Sequence, residues 1–175
     1  TYWEPNPDFS VTLGANELVS GDTIDDVKIT YHTNATKESN AGRYDVTATI
    51  DEDCTNYKLA SNANTRDDFR IKRAVISNIY IDGELNSISC FETPNVKAYF
   101  YDATGIKTED HRIYLDIIYK NQDKEEFEFI PGKRAPIGKY FYVILIDDAN
   151  LVNYVNLSDP NMLIGHFSVV GDNVE

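Results

Sequence analysis

The side chains that most often carry out catalysis or bind metals are few in this chain and poorly spaced for either task. The three histidines are His32, His111 and His166. None lies two or four residues from another, the spacing that places two imidazoles on one metal ion. The sequence contains no G-x-S-x-G elbow for a nucleophilic serine and no glycine-rich phosphate loop. We therefore expect no catalytic residues, no cofactor and no enzyme activity.

Acidic clusters are the remaining candidates for a site, and calcium is the ion that they would bind. Ca²⁺ takes about six to eight oxygen ligands, often from loop carboxylates. The chain lacks the D-x-[DN]-x-[DN]-G loop that supplies them in the EF-hand. Carboxylates at loop tips are usually solvated, so we predict no metal site. The clusters are residues 51–53, residues 147–148 and the group Asp22, Asp25 and Asp26.

The charge of the chain excludes several classes of partner. Its 29 acidic and 16 basic residues give a net charge of −13. Because an acidic surface repels phosphate groups, we expect neither nucleic acid nor an anionic membrane as a partner. No apolar run approaches the roughly 18 residues of a membrane-spanning helix, so we expect no membrane insertion. The chain begins at Thr1 without the features of a signal peptide, and we expect an internal or mature segment.

Alternation of polar and apolar side chains runs through the chain and predicts strands. Residues 43–50 read R-Y-D-V-T-A-T-I, so Tyr44, Val46, Ala48 and Ile50 share one face. Helical patterns are weak, and only residues 15–18 suggest a single short turn. Many short strands between turn-forming clusters are typical of an all-β fold. The other predicted strands are residues 27–31, 57–60, 69–71, 75–81, 96–101, 113–119, 126–130, 140–146, 152–157 and 164–170.

The sequence contains an internal repeat. N-A-G-R-Y-D-V-T-A-T-I-D at residues 40–51 resembles P-I-G-K-Y-F-Y-V-I-L-I-D at residues 136–147. Further along, N-Y at residues 56–57 matches residues 153–154, and F-R-I at residues 69–71 matches F-S-V at residues 167–169. The matched blocks occur in the same order in both halves of the chain and lie 96 to 98 residues apart. We therefore predict two tandem modules, residues 1–73 and residues 74–175.

Two expectations follow from the repeat. Gly42 and Gly138 each precede a strand-opening tyrosine, where a tight turn or a close backbone approach would exclude a Cβ atom. Cys54 and Cys90 lie in different modules, which favours separate thiols over one disulfide, although both arrangements stay open.

We predict that each module is an Ig-like β-sandwich. The alternative is a β-grasp-like module, which requires a helix across one sheet.

Five sequence blocks follow one another along the first module: Tyr2 with Asn6-Pro7 and Phe9, L-V-S-G-D-T at residues 18–23, N-A-G-R-Y-D-V-T-A-T at residues 40–49, N-Y-K-L at residues 56–59 and F-R-I-K-R-A at residues 69–74. In the order and spacing of these blocks, the module resembles the MBG/YDG-type repeats of large bacterial secreted and surface-anchored proteins. The strand that usually precedes the Asn-Pro region of these repeats would lie before Thr1, so the first module would lack its first strand. The second module keeps the G-K-Y and N-Y landmarks but lacks the G-D-T block and has a longer middle, residues 101–138.

The resemblance implies an extracellular location, tandem arrays and a role as a spacer or adhesin, without catalysis. Its expected partners are neighbouring repeat domains of the same protein, and a host glycan or matrix protein. The alternatives are a carbohydrate-binding module, which would use tyrosines as sugar platforms, and an accessory domain of an extracellular enzyme. Function does not follow from fold, so these remain expectations.

The strand at residues 140–146 differs from its counterpart in the first module. If Tyr140 faces the core as Tyr44 does, then Phe141, Val143 and Leu145 face the other side, where the first module carries polar residues. A strand that is apolar on both faces is either covered by another layer or part of a contact surface. We expect cover by residues 101–138, and Phe141, Val143 and Leu145 form the contact patch if that cover is absent. The side chains that would supply the cover are Ile117, Ile118, Phe127 and Phe129.

Overall fold

The computed structural model describes residues 1–11, 13, 17–59, 65–83, 85–155 and 163–172, and its regular structure is almost all extended. The chain divides into two compact units, Thr1–Arg73 and Ala74–Glu175. The described residues contain eleven strands, whereas their helical segments span only three or four residues each. The predicted all-β fold is confirmed, and no helix of the described ranges is long enough to cross a sheet as the β-grasp-like alternative requires.

Three elements predicted from the sequence extend onto residues that the structure does not describe. Residues 15–16, residue 60 and residues 156–157 lie outside the described part of the chain. A search of the described residues found no helix that is long and apolar enough to cross a membrane.

The first unit contains a three-stranded antiparallel sheet in the order β1-β2-β3. The strands are β1 (Ile29–His32), β2 (Gly42–Ile50) and β3 (Thr65–Ile71). The predicted alternation in β2 is confirmed, because Val46 and Ala48 are buried and Asp45 is exposed. The strand predicted at residues 27–31 begins later, since Val27 ends a 3-10 helix, and residues 57–59 form no strand.

The N-terminal segment of the first unit is held against this sheet. The backbone N–H of Tyr2 donates to the carbonyl of Lys72 at 2.7 Å, and that of Trp3 donates to the carbonyl of Lys37 at 3.0 Å. Further along, the ring of Phe9 meets that of Phe69 edge-on, with 5.2 Å between centroids. Backbone bonds at the start and an aromatic contact further along therefore fix this segment over the sheet.

The second unit contains a six-stranded sheet in the order β5-β7-β8-β9-β11-β6 and a two-stranded ladder of β10 and β4. The pairs β11–β6 and β10–β4 are parallel, and the other pairs are antiparallel. The strands are β4 (Ala74–Val75), β5 (Tyr80–Asp82), β6 (Ser87–Ser89), β7 (Lys97–Tyr101), β8 (Arg112–Lys120), β9 (Gly138–Leu145), β10 (Tyr154–Val155) and β11 (Ile164–Val170), with a short helix α1 (Asp148–Leu151) between β9 and β10.

One face of the six-stranded sheet forms the core of the second unit. Paired residues lie on the same face and successive residues alternate, so Phe100, Tyr140, Ile144 and Phe167 all point to this inner face, where they are buried. Tyr154 of β10 covers one end of it, with its ring 4.9 Å from that of Phe100. Residues 121–137 cover the other end through a cluster of aromatic rings that packs on Tyr140 and Phe167.

Two strand predictions in the second unit are wrong. The strand predicted at residues 75–81 is interrupted, and its ends belong to the separate strands β4 and β5. The segment 126–130 alternates between half-buried and exposed side chains as a strand would. It nevertheless makes only an isolated bridge, between Glu126 and Lys120, and forms no ladder.

The glycines that open β2 and β9 differ in how closely other atoms approach them. A Cβ atom on Gly42 would meet no atom closer than 3.8 Å, so the expected close approach is wrong there. A Cβ atom on Gly138 would lie 3.1 Å from the side chain of Gln122. The close approach occurs instead at Gly165, where a Cβ atom would overlap the ring of its cross-strand partner Tyr142.

Candidate contact surface

The outer face of the six-stranded sheet carries a group of apolar side chains that we call the outer patch. It comprises Ile118 of β8, Phe141, Val143 and Leu145 of β9, and Ile164 of β11. The strand register aligns Ile118, Val143 and Ile164 across the three strands. Leu145 is 41% exposed and Ile164 45% exposed, while the other three are half-buried. The patch is therefore a continuous apolar surface with solvent-accessible edges.

The cover that we expected for this face lies on the opposite side of the sheet. The rings of Phe127 and Phe129 each stand 5.3 Å from that of Tyr140, which points inward. Ile117 shares that inner face by alternation, and Ile118 belongs to the outer patch itself. The expected cover of Phe141, Val143 and Leu145 by these residues is therefore wrong, and a contact function for them stays a prediction.

Charged side chains border the outer patch in an ordered way. Lys120 and His166 are the cross-strand neighbours of Phe141, and Lys139 lies two residues before it on the same strand. Asp116 is the neighbour of Leu145 at the other end. Both lysines therefore lie at the Phe141 end, although the exposed Glu126 pairs with Lys120 there. Lys97 of β7 reaches the same face near Asp116, with its Nζ atom 5.8 Å from the ring centre of Tyr114. The patch thus has a basic end and an acidic end whose charge Lys97 partly offsets.

A cluster of tyrosines occupies the same outer face on β5, β7 and β8. The rings of Tyr80 and Tyr99 are stacked at 5.5 Å, and the guanidinium of Arg112 lies 4.3 Å above the ring of Tyr99. Arg112 also donates to the carboxylate of Asp82 at 2.7 Å. Tyr114, at the edge of the cluster, is 46% exposed. The cluster therefore packs mainly on itself and offers one accessible ring.

The environment of this cluster shifts two pKa values. Hydrogen bonding to Tyr114, together with the nearby Asp82 carboxylate, raises the pKa of Arg112 above its usual range despite partial burial. Burial and a hydrogen bond with Tyr101 raise the pKa of the Tyr99 hydroxyl. Both shifts keep the guanidinium charged and the phenol neutral at ordinary pH, so the stacked pair is a stable cation–π contact.

Sequence reasoning missed one cluster of polar side chains, formed by Asp102, Thr104 and His111 after β7. The Nδ1 atom of His111 lies 2.9 Å from a carboxylate oxygen of Asp102 and 3.2 Å from the hydroxyl of Thr104. A catalytic triad needs the acid and the nucleophile on different ring nitrogens. Because both partners contact the same nitrogen, the arrangement does not match that of a hydrolase.

The cluster instead fixes the turn between β7 and β8. The backbone N–H of Thr104 donates to Asp102 at 3.0 Å, and that of Asp102 donates to the carbonyl of His111 at 2.9 Å. Partial burial alone would raise the pKa of Asp102, but hydrogen bonds from Thr104 and His111 outweigh it and lower that pKa. The D-A-T sequence is typical of an Asx turn, but no local pattern indicates that His111 joins it.

The acidic clusters and cysteines occupy structural positions. Asp51 accepts a hydrogen bond from the backbone of Asp53 at 3.1 Å, and Asp147 accepts one from the backbone of Asn150 at 2.8 Å. Among the described residues, no group of three or more His, Cys, Asp or Glu side chains is arranged to hold a metal ion. Cys54 and Cys90 are free thiols, and Cys90 is buried.

The repeated blocks of the two units adopt the same local structure. Tyr44 pairs with Phe69 across β2 and β3, and Tyr140 pairs with Phe167 across β9 and β11. The hydroxyl of Tyr44 donates to the carbonyl of Asn40 at 2.7 Å. The hydroxyl of Tyr140 donates to the carbonyl of Pro136, also four residues earlier, at 2.9 Å. The repeat therefore encodes a strand pair with a tyrosine hydroxyl bonded to the preceding turn.

Comparison with known families identifies the first unit. Residues 1–65 match the model of the MBG domain (YGX type). This match confirms the MBG-type resemblance of the first module. No curated protein and no solved structure matches the chain.

The MBG domain also contains an open cavity of about 900 Å³ over the inner face of its sheet. Val46, Ala48 and Tyr31 line its floor, and Phe9 and Leu18 lie among the residues that surround it. Among the described residues of this unit, the buried hydrophobic side chains are those of valine, alanine and isoleucine. The MBG domain is therefore less tightly filled than the second unit, whose core contains several aromatic rings.

Proposed function

We propose that this chain is a non-enzymatic structural or adhesive repeat region of a bacterial cell-surface or secreted protein. In that protein it acts as a spacer or a binding module, located outside the cell. The observation that carries the proposal is the MBG domain match of residues 1–65, because such domains are of a repeat and extracellular type. The tyrosine-anchored strand pair that recurs in both units supports a tandem arrangement.

Its partners in this proposal are neighbouring repeat domains of the same protein and a host glycan or matrix protein. The net charge of −13 supports such partners over nucleic acid, because the acidic surface repels phosphate. The outer patch is the surface that we assign to contact, since it is apolar, partly exposed and bordered by charges of both signs.

Two experiments test this proposal: one determines where the protein is located, and the other determines what the purified chain binds. Antibodies raised against the chain should label intact cells of the source organism, and protease added to those cells should remove the signal. The purified chain should bind saturably to one member of an array of glycans and matrix proteins, or to none if it acts only as a spacer. Labelling that appears only after cell lysis would contradict the proposal.

A carbohydrate-binding module is the second candidate, including one that serves an extracellular enzyme. The exposed ring of Tyr114 at the edge of the tyrosine cluster favours it, since aromatic faces stack on sugars. A glycan array signal should then be lost in Tyr114→Ala and retained in Phe91→Ala, which removes an exposed aromatic ring from a turn between β6 and β7. A signal that survives both substitutions would exclude Tyr114 as the platform.

A further inference from the structure

The outer patch requires a partner of defined chemistry. It places five apolar side chains side by side on the middle strands of a sheet, and two of them, Leu145 and Ile164, are more than two-fifths exposed. The layer that could have covered it, residues 121–137, packs on the inner face. Exposed apolar surface of this kind marks an interaction site on a soluble protein.

We propose that the outer patch binds the outer patch of a second copy of this chain, with the β8 strands of the two copies antiparallel. This inference concerns self-association and goes beyond the function proposed above. We choose a second copy as the partner because a twofold rotation brings the basic end of one patch opposite the acidic end of the other.

The charge argument depends on Asp116 and Lys120, which lie on the same face of β8 at opposite ends of the patch. Four residues of strand separate them by about 13 Å. When two copies face each other with β8 antiparallel, Lys120 of each copy stands opposite Asp116 of the other. The parallel arrangement would oppose like charges, which costs free energy. Lys139 adds to the basic end, and Glu126 beside Lys120 offsets part of it.

The size of the patch sets the strength of association that we expect. Three strands about 4.8 Å apart and roughly eight residues long present about 400 Å² of sheet face. Stable dimers bury about 800 Å² per partner, and the net charge of −13 repels a second copy. We therefore expect a weak dimer, with a dissociation constant on the order of 10–100 µM, which becomes effective when copies are crowded.

The first test is sedimentation velocity of the intact chain over a concentration series up to about 1 mM. The wild type should form dimers, and Leu145→Glu should weaken dimerisation by about 10-fold or more, because it places a charge in the contact. Ile106→Glu is the matched control, since Ile106 is similarly exposed but lies in a loop after β7. A wild type that stays monomeric, or a control that loses dimers equally, would overturn the proposal.

The second test identifies the arrangement by mixing two charge variants. Asp116→Lys leaves two lysines on the face and Lys120→Asp leaves two aspartates, so each variant alone should dimerise about 10-fold less than the wild type. An equimolar mixture should form heterodimers about as tight as the wild-type dimer, because every facing pair is then of opposite charge. Circular dichroism checks that both variants fold. Because the mixed pair is complementary in either arrangement, the loss in each variant alone is the result that supports the antiparallel one. Folded variants that dimerise alone as well as the wild type, or whose mixture fails to associate, would disprove the antiparallel arrangement.

Discussion

Tyr44 and Tyr140 each anchor the start of a strand to the turn that precedes it. In both, the hydroxyl donates to the carbonyl oxygen four residues earlier, at 2.7 and 2.9 Å. Tyr140 is only 4% exposed, and its hydrogen bond to the carbonyl of the exposed Pro136 is partly buried. Tyr44 is half-buried, and water can replace its hydroxyl more readily.

Removal of the Tyr140 hydroxyl should therefore destabilise the second unit. We expect Tyr140→Phe to lower the free energy of unfolding by about 1 kcal/mol, because a partly buried hydrogen bond is lost. Tyr44→Phe should cost less in the first unit. Urea denaturation of both variants, with hydrogen exchange to locate the effect, measures this. An equal loss at the two positions would show that burial does not set the contribution of this bond.

Asp102 should make stability depend on pH in the acid range. Its folded-state pKa lies below the ordinary value of 3.8. Its stabilising contribution is therefore present above the ordinary pKa and is lost as the pH falls through the lower folded-state pKa. The stability difference between wild type and Asp102→Asn should be constant above about pH 5 and should shrink as the pH falls below the ordinary pKa of 3.8.

Thermal denaturation across this pH range gives the measurement. Thr104→Val removes the hydrogen bond that the Thr104 hydroxyl donates to Asp102, keeps the one from the backbone N–H, and should reduce the pH dependence without abolishing it. A difference between wild type and Asp102→Asn that stays constant with pH would show that the carboxylate charge contributes nothing.

Single residues also show which side-chain positions can be predicted from the sequence alone and which cannot. Alternation placed Phe141 opposite Tyr140 correctly, because side chains in a strand must alternate. It could not show which face a distant segment covers, since this depends on where residues 121–137 fold back. The contact of His111 with Asp102 likewise depends on the β7–β8 register, which no local pattern specifies.

At the scale of elements, residues 121–137 act as a covering layer without being a strand. Phe127 and Phe129 pack edge-on to each other at 4.9 Å and reach Tyr140, Phe167 and Tyr119 on the inner face. The period-two pattern of F-E-F predicted a strand and correctly placed both rings on one side. The predicted ladder is wrong because a strand also needs a continuous run of backbone pairing, and this segment pairs with β8 only through the isolated bridge between Glu126 and Lys120.

The core of the second unit should therefore depend strongly on Phe129. We expect Phe129→Ala to lower the free energy of unfolding by about 3 kcal/mol, because its ring contacts those of Tyr119, Tyr140 and Phe167. Phe91→Ala, at an exposed position, should have little effect. Chemical denaturation of the two variants and of the wild type measures these differences in the free energy of unfolding. Similar small effects would mean that residues 121–137 do not seal the core.

At the scale of the whole molecule, the two units differ in what they bury. The first unit buries valine, alanine and isoleucine beside an open cavity of about 900 Å³. The second buries phenylalanine, tyrosine, leucine and isoleucine in one connected core. A small domain with little buried apolar area is marginally stable, so we expect the first unit to be the less stable of the two.

Hydrogen exchange on the intact chain measures this difference directly. The amides of β2 should exchange faster than those of β9, although both are central strands that open with a glycine and a tyrosine. The matched positions Val46 and Tyr142 give the comparison residue by residue. Equal protection in the two strands would show that the cavity is filled or that the units unfold together.

The parallel pairs of the second unit have a mechanical consequence. β4 begins this unit and pairs in parallel with β10, while β6 pairs in parallel with β11, its last strand. Tension applied at the two ends of the unit pulls each such pair along its length, in shear. The evenly spaced hydrogen bonds of a parallel pair then share the load instead of opening one after another. We expect the second unit to resist extension until its terminal strands slide apart.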